Sequence, residues 1–176
     1  MKLVLGIVAA LMLLLPVVSA NYLYLYPQSD IIRGFTAMGC GVNSFECVNE
    51  VSIDTSDYVY TSANKVTDSY SLSNHLAFGT ISQVNIIHTA KRYSTNKFYL
   101  YSRLSTGGSP VYHSLGGGAP LSAAYADYTT NYTMSPFTSS AWTWSEINNL
   151  QVGIMSAQYL GGGYVARVRV RVTYTP

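Results

Sequence analysis

The stretch Trp142–Tyr174 decides how this chain folds. It opens Trp142-Thr143-Trp144-Ser145-Glu146-Ile147-Asn148-Asn149-Leu150, breaks at Gly161-Gly162-Gly163, and closes Tyr164-Val165-Ala166-Arg167-Val168-Arg169-Val170-Arg171-Val172-Thr173-Tyr174. In the closing part Ala166, Val168, Val170, Val172 and Tyr174 share one face, while Arg167, Arg169, Arg171 and Thr173 share the other. Successive side chains of a strand point to opposite faces, so this is a half-buried β-strand long enough to cross a sheet. In the opening part, Ser140–Leu150 reads as the one helix. Thr143 or Ser145 is placed to cap it, and Glu146 follows Thr143 at the capping-box offset.

Upstream, the chain reads as strand after strand. Asn21–Tyr26 alternates strictly and stops at Pro27, and Ile31–Met38 is a second strand interrupted by Gly34. Short strands follow at Tyr58–Thr61, Val66–Ser73, Lys97–Leu104, Val111–Leu115 and Ala123–Met134, with Gln151–Gln158 before the glycine break. Thr80–Tyr93 is longer and offers two faces, Ile81/Gln83/Asn85/Ile87 and Val84/Ile86/His88/Ala90, with the inward one left open. Gly107-Gly108-Ser109-Pro110 and Gly116-Gly117-Gly118-Ala119-Pro120 are turns. The pattern predicts an all-β, antiparallel β-sandwich of jelly-roll type, with one short helix before the penultimate strand.

The composition bounds what such a sandwich does. A hydrophobic share of 48% against 10% charged residues is ample for a core and excludes a disordered chain. A net charge of +2 is too small for a nucleic-acid footprint. Residues 1–20 form a signal-peptide pattern: Lys2, the apolar run Leu3–Leu15, and the small-residue site Val18-Ser19-Ala20. Cleavage after Ala20 leaves residues 21–176 as a single domain, located extracellularly or at a cell surface. An uncleaved anchor is the rival reading, and no membrane contact is expected otherwise. Cys40 and Cys47, the only cysteines, both lie beyond the cleavage site. An oxidising compartment pairs them, closing a short loop worth roughly 2–3 kcal/mol; a metal pair would need further Cys or His ligands nearby.

Four motifs in order resemble a family. Phe45-Glu46-Cys47-Val48-Asn49-Glu50, Asp57-Tyr58-Val59-Tyr60, Gly79-Thr80-Ile81-Ser82-Gln83-Val84 and Trp142-Thr143-Trp144-Ser145-Glu146-Ile147-Asn148-Asn149-Leu150-Gln151-Val152-Gly153 are similar to motifs of concanavalin-like jelly-roll modules. Such modules occur in phage virion proteins and environmental surface proteins. Phe45 stands where that family usually has Trp. The resemblance covers roughly Tyr22 to Tyr174 and implies a surface or virion building block with no catalytic residues to carry over. The signal peptide shifts this toward a secreted cell-surface or filament protein.

The residues themselves offer little catalysis. No Gly-x-Ser-x-Gly elbow, His-Glu-x-x-His or phosphate loop is present, and His75, His88 and His113 lie far apart. Glu46, Glu50, Asp54 and Asp57 crowd one loop. Solvated turn-capping acids are the default reading. Asp54 and Asp57 are also candidate ligands for a structural calcium, and no other cofactor is implied. A glycoside hydrolase would need two carboxylates across a sugar, usually on strands of a concave face. Tyr99, Tyr101, Tyr125, Tyr128, Tyr132, Trp142 and Trp144 are candidate sugar-stacking rings, against the simpler reading that Tyr packs well in strands. Arg167, Arg169 and Arg171 form a candidate basic contact face, or an outer row that discourages pairing if the strand lies at an edge. Asn131-Tyr132-Thr133 is the glycosylation sequon.

The apolar strand Tyr22, Leu23, Tyr24, Leu25, Tyr26 can pair within its own sheet or add to the next subunit, which would build a filament. The expectation is therefore a secreted, non-catalytic protein that builds or decorates a surface, with self-association as its main interaction. A glycan-binding or adhesive module is the alternative, with a cell-surface or glycan partner, and a glycoside hydrolase comes third.

Overall fold

The computed structural model describes residues 19–76, 78–93, 95–157 and 161–176. The signal-peptide reading of residues 1–20 lies, up to residue 18, outside the described residues. In chain order the strands are β1 (Asn21–Leu25), β2 (Pro27–Ile32), β3 (Thr36–Met38), β4 (Tyr58–Thr61), β5 (Thr67–Leu72), β6 (Thr80–Arg92), β7 (Leu100–Ser105), β8 (Val111–Ser114), β9 (Ala126–Tyr132), β10 (Gln151–Ser156) and β11 (Gly163–Thr175). The helix α1 (Trp144–Asn148) precedes β10. No helix among the described residues is long and apolar enough to cross a membrane.

Two antiparallel sheets face each other. One runs β3-β4-β11-β6-β9 with β1 beside β11, and the other runs β2-β5-β10-β7-β8. The chain changes sheet at every connection between successive strands except β3 to β4 and β7 to β8. This is a jelly-roll sandwich. Val84, Ile86, Ala90, Val168, Val170 and Val172 of the first sheet meet Tyr70, Leu72, Leu100, Leu104, Val152 and Ile154 of the second, all buried. β6 therefore turns its Val84/Ile86/His88/Ala90 face inward.

β11 has partners along both sides. β6 follows it from Gly163 to Thr175. On the other side β4 pairs with Gly163–Val165 and β1 with Val170–Tyr174. The gap between them is closed by the loop 39–57, where the Val168 N–H donates to the Val48 carbonyl at 2.8 Å. Cys40 and Cys47 are joined as expected, with Cα atoms 5.2 Å apart, and they close this loop. Asp30 holds its single 3-10 turn, accepting the N–H groups of Ser44 at 3.0 Å and Phe45 at 2.8 Å. A register shift between Val165 and Arg167 leaves Val165 and Ala166 both buried, a β-bulge that the alternation of the sequence does not show.

Several boundaries differ from expectation, three of them with a visible physical setting. The first strand does stop before Pro27, at Leu25, but Pro27 is itself part of a further strand. It begins β2 in the opposite sheet, a first-residue position where its missing N–H costs nothing. Ile31–Met38 is not one strand, because residues 33–35 turn the chain from β2 to β3. Asp68 anchors that turn by accepting the N–H groups of Gly34 at 2.6 Å and Phe35 at 2.8 Å. The helix is confined to α1. Thr143 caps it: its Oγ1 accepts the Glu146 N–H at 3.2 Å, and Glu146 Oε2 accepts the Thr143 N–H at 2.9 Å.

Two buried polar groups set the stability of this frame. Asp68 also accepts the Tyr70 hydroxyl at 2.9 Å, and burial raises its pKa against the pull of these three donors. Asp68→Ala strands two N–H groups and a hydroxyl, and is expected to cost about 3 kcal/mol in chemical denaturation. His88 is fully buried and its Nε2 lies 3.2 Å from the Gly153 carbonyl. Burial pulls its pKa from 6.5 down to about 4. The unfolded chain protonates this imidazole where the folded chain does not, so its contribution is complete above about pH 6.5 and lost as pH falls toward 4. Denaturation from pH 7 to pH 4 should show about 3 kcal/mol of lost stability from this group. His88→Gln should lack that component; equal slopes in both proteins would assign the acid sensitivity elsewhere.

Candidate functional site

A cleft of about 580 Å³ opens where β2, β5, α1 and β10 meet, lined by Gln28, Ser71, Leu72, Ser73, Asn74, Asn148, Asn149, Leu150 and Gln151. Its walls come from separate segments that register brings together. Ser71 of β5 lies opposite both Ser29 of β2 and Gln151 of β10. Leu72 and Leu150 are buried and floor the cleft, while the amide residues stand at or near the surface. Asn148 and Asn149 serve the fold: Asn148 Oδ1 accepts the His75 N–H at 3.0 Å, and Asn149 Nδ2 donates to the Ser145 carbonyl at 2.9 Å. The side chains of Gln28, Asn74 and Gln151 make no hydrogen bond among the described residues. A neighbouring recess shares Gln28 and Ser73 and adds Tyr26, Pro27, Phe45 and Asn49. The combined surface holds unpaired amides beside two partly exposed rings, and none of its lining residues is Asp, Glu, Lys, Arg or His.

The outer face of the first sheet carries the arginine row. Arg167 is buried, donates to the Val51 carbonyl at 3.1 Å and lies 3.5 Å from Asp127. Arg169 meets the same carboxylate at 3.3 Å and stacks over the Tyr24 ring. Arg171 donates to Asn85 Oδ1 through Nε at 3.1 Å and Nη2 at 3.0 Å, and stacks over Tyr22. The row is thus woven into its own sheet, and because β11 is central it does not guard an edge. Tyr22, Leu23, Tyr24 and Leu25 are likewise engaged, since β1 pairs with β11 in the same chain, while Tyr26 joins β1 to β2. Asn131 is exposed on the edge strand β9, and its Oδ1 accepts the Asn85 amide.

The crowded acids of the loop do converge. Glu50, Asp54 and Asp57 bring carboxylate oxygens within 4.8 Å of one another. Burial first, and then the charges of Asp54 and Asp57, raise the Glu50 pKa. Asp54 is held low by the Ser56 hydroxyl and N–H. Glu46 stands apart, accepting the Asn43 amide at 3.0 Å. Three hard oxygen donors of this kind suit a divalent cation such as calcium.

Of the candidate rings, Trp142 and Tyr132 are core residues, packed edge to face at 6.3 Å. Trp144 donates to the Gly79 carbonyl at 3.0 Å and packs on Tyr174. The Tyr128 hydroxyl accepts the Ser122 N–H at 2.7 Å. Tyr99 and Tyr101 border a smaller recess of about 270 Å³ beside Leu115. The motifs behind the family resemblance are likewise structural: Cys47 bridges, Val48 fills the gap beside β11, and Thr143 and Glu146 cap α1. Sequence reasoning missed the amide cleft. Its residues are ordinary polar ones, scattered from Gln28 to Gln151 with no shared spacing, and only the clustered Asn148-Asn149 and Gln151 hinted at it.

No family model matches the chain, and no curated protein resembles it in sequence. Similar solved structures include carbohydrate-binding modules, a carbohydrate esterase and a bacteriophage tailspike domain. The CBM22-1 xylan-binding domain of Paenibacillus barcinonensis Xyn10C is 13% identical, covering 92% of this chain and 100% of its own, with a TM-score of 0.49. The C-terminal CBM6 of LamC from Zobellia galactanivorans is 15% identical, covering 87% and 99%, with a TM-score of 0.46. The CBM35 of Abf62 from Cellvibrio japonicus is 12% identical, covering 89% and 99%, with a TM-score of 0.45. At these values the likeness decides nothing about this chain, whose jelly-roll arrangement is read from its own sheet order.

Proposed function

We propose that this chain is an extracellular, non-catalytic module that binds a neutral glycan in the cleft of Gln28, Asn74 and Gln151. The observation that carries this is the cleft's chemistry: unpaired amides beside the rings of Tyr26 and Phe45, with no charged group in the lining. A carboxamide both donates and accepts, as a sugar hydroxyl does, so each amide can serve a hydroxyl in either sense. The apolar face of a pyranose is matched by an aromatic face. Glycosidic cleavage would need a pair of carboxylates, which the cleft lining lacks. The surface-building reading is less well supported, because β1 already pairs with β11 and is not a spare strand.

A glycan array followed by calorimetry tests the proposal. The wild-type chain is expected to retain neutral oligosaccharides, and the double variant Gln28→Ala, Asn74→Ala to bind them about tenfold more weakly or worse. An array with no neutral glycan retained overturns the reading, and unchanged affinity in the double variant overturns the assignment to the cleft.

The proposal includes calcium at Glu50, Asp54 and Asp57 as a brace for the loop, on the donor chemistry alone. Millimolar calcium should raise Tm by several degrees over chelator, and Asp57→Asn should abolish that rise. Equal melting with calcium and with chelator removes the cation from the proposal.

A further inference from the structure

The outer face of the first sheet carries a second cluster, built around a lysine. Register lays Tyr60 of β4, Tyr164 of β11 and Lys91 of β6 side by side. Tyr58 shares the face of Tyr60, two residues away, and its ring centroid lies 4.6 Å from that of Tyr164. Tyr93 packs on Tyr164 at 5.4 Å, and the Tyr60 ring lies 6.1 Å from that of Tyr164. The Lys91 ammonium sits 4.4 Å from the ring centroid of Tyr125 and 5.3 Å from that of Tyr164.

This lysine has no carboxylate partner among the described residues, where the ion pairs are Arg33–Asp30, Arg167–Asp127 and Arg169–Asp127. Its charge is met only by ring faces, which attract a cation yet leave its N–H donors without an anion. Burial pushes the Tyr125 hydroxyl up to about 12 and also raises Tyr164, so no phenolate competes for the ammonium near neutral pH. Tyr93 is 63% exposed and packs on Tyr164, the ring that the ammonium also faces.

We propose that this cluster is a second saccharide site, for a sugar that carries a carboxylate, with Lys91 taking the uronate and Tyr93 the pyranose face. Charge complementarity selects the ligand: a neutral sugar leaves the ammonium unmatched, whereas a uronate supplies both the missing anion and an apolar ring face. The site lies on the opposite sheet from the amide cleft and rests on a separate observation, so either assignment can fail without the other.

Calorimetry at low salt with trigalacturonate and with its fully methyl-esterified form tests it. The wild-type chain is expected to bind the acid form about tenfold more tightly than the ester. Lys91→Met should erase that preference and Lys91→Arg should keep it. Tyr93→Ala, at an exposed position that leaves the core intact, should weaken both forms severalfold. The double variant Gln28→Ala, Asn74→Ala should bind trigalacturonate as the wild type does. Equal affinity for acid and ester, a preference that survives Lys91→Met, unchanged binding in Tyr93→Ala, or loss of uronate binding in the cleft variant would each overturn the second site.

Discussion

The structure depends on the hydrogen bonding of β11 along both of its sides. A central strand exposes two rows of N–H and C=O groups, and leaving any of them buried without a partner costs about 1–3 kcal/mol. β6 satisfies one row along the whole strand. The other row is shared by β4, the Val48 carbonyl and β1, three segments far apart in sequence. The disulfide Cys40–Cys47 and the Asp30 carboxylate keep Val48 in place for this purpose. A loop that looks like a connection is thus part of the sheet.

The same constraint shapes the outer surface. With β11 in the middle, its outward arginines face neighbours on both sides and become a network with Asp127, Asn85, Tyr22 and Tyr24. Their stems and charges cover the sheet, and Asp127 offsets part of the positive charge. Lys91 of β6 lies on the same sheet face but in a different setting, against the rings of Tyr125 and Tyr164.

The two proposed sugar surfaces differ in what the fold does for them. The cleft exists because β2, β5 and β10 end together and α1 rises beside them, so it is a product of strand ends and loops. The Lys91 cluster is a product of register, since a shift of one residue in β4 or β6 would turn Tyr60 or Lys91 to the other face. Neither arrangement contains the paired carboxylates of a glycosidase. Both are surfaces suited to holding a ligand.

Strand periodicity was legible where one face alone is buried, as in β4 and most of β11, because alternation is a local property. The β11 alternation, the capping box of Thr143 and Glu146, and the Cys40–Cys47 pair could all be seen in order along the chain. The β2–β3 turn could not, because its cause is Asp68, more than thirty residues away. Nor could the bulge at Ala166, since Val165 and Ala166 suit either face. Which strands neighbour β11, which face of β6 lies inward, and which amides share a cleft were decided only by tertiary structure. Residues such as Gln28, Asn74 and Gln151 carry no pattern of their own, and hydrogen-bonded register is what makes neighbours of them.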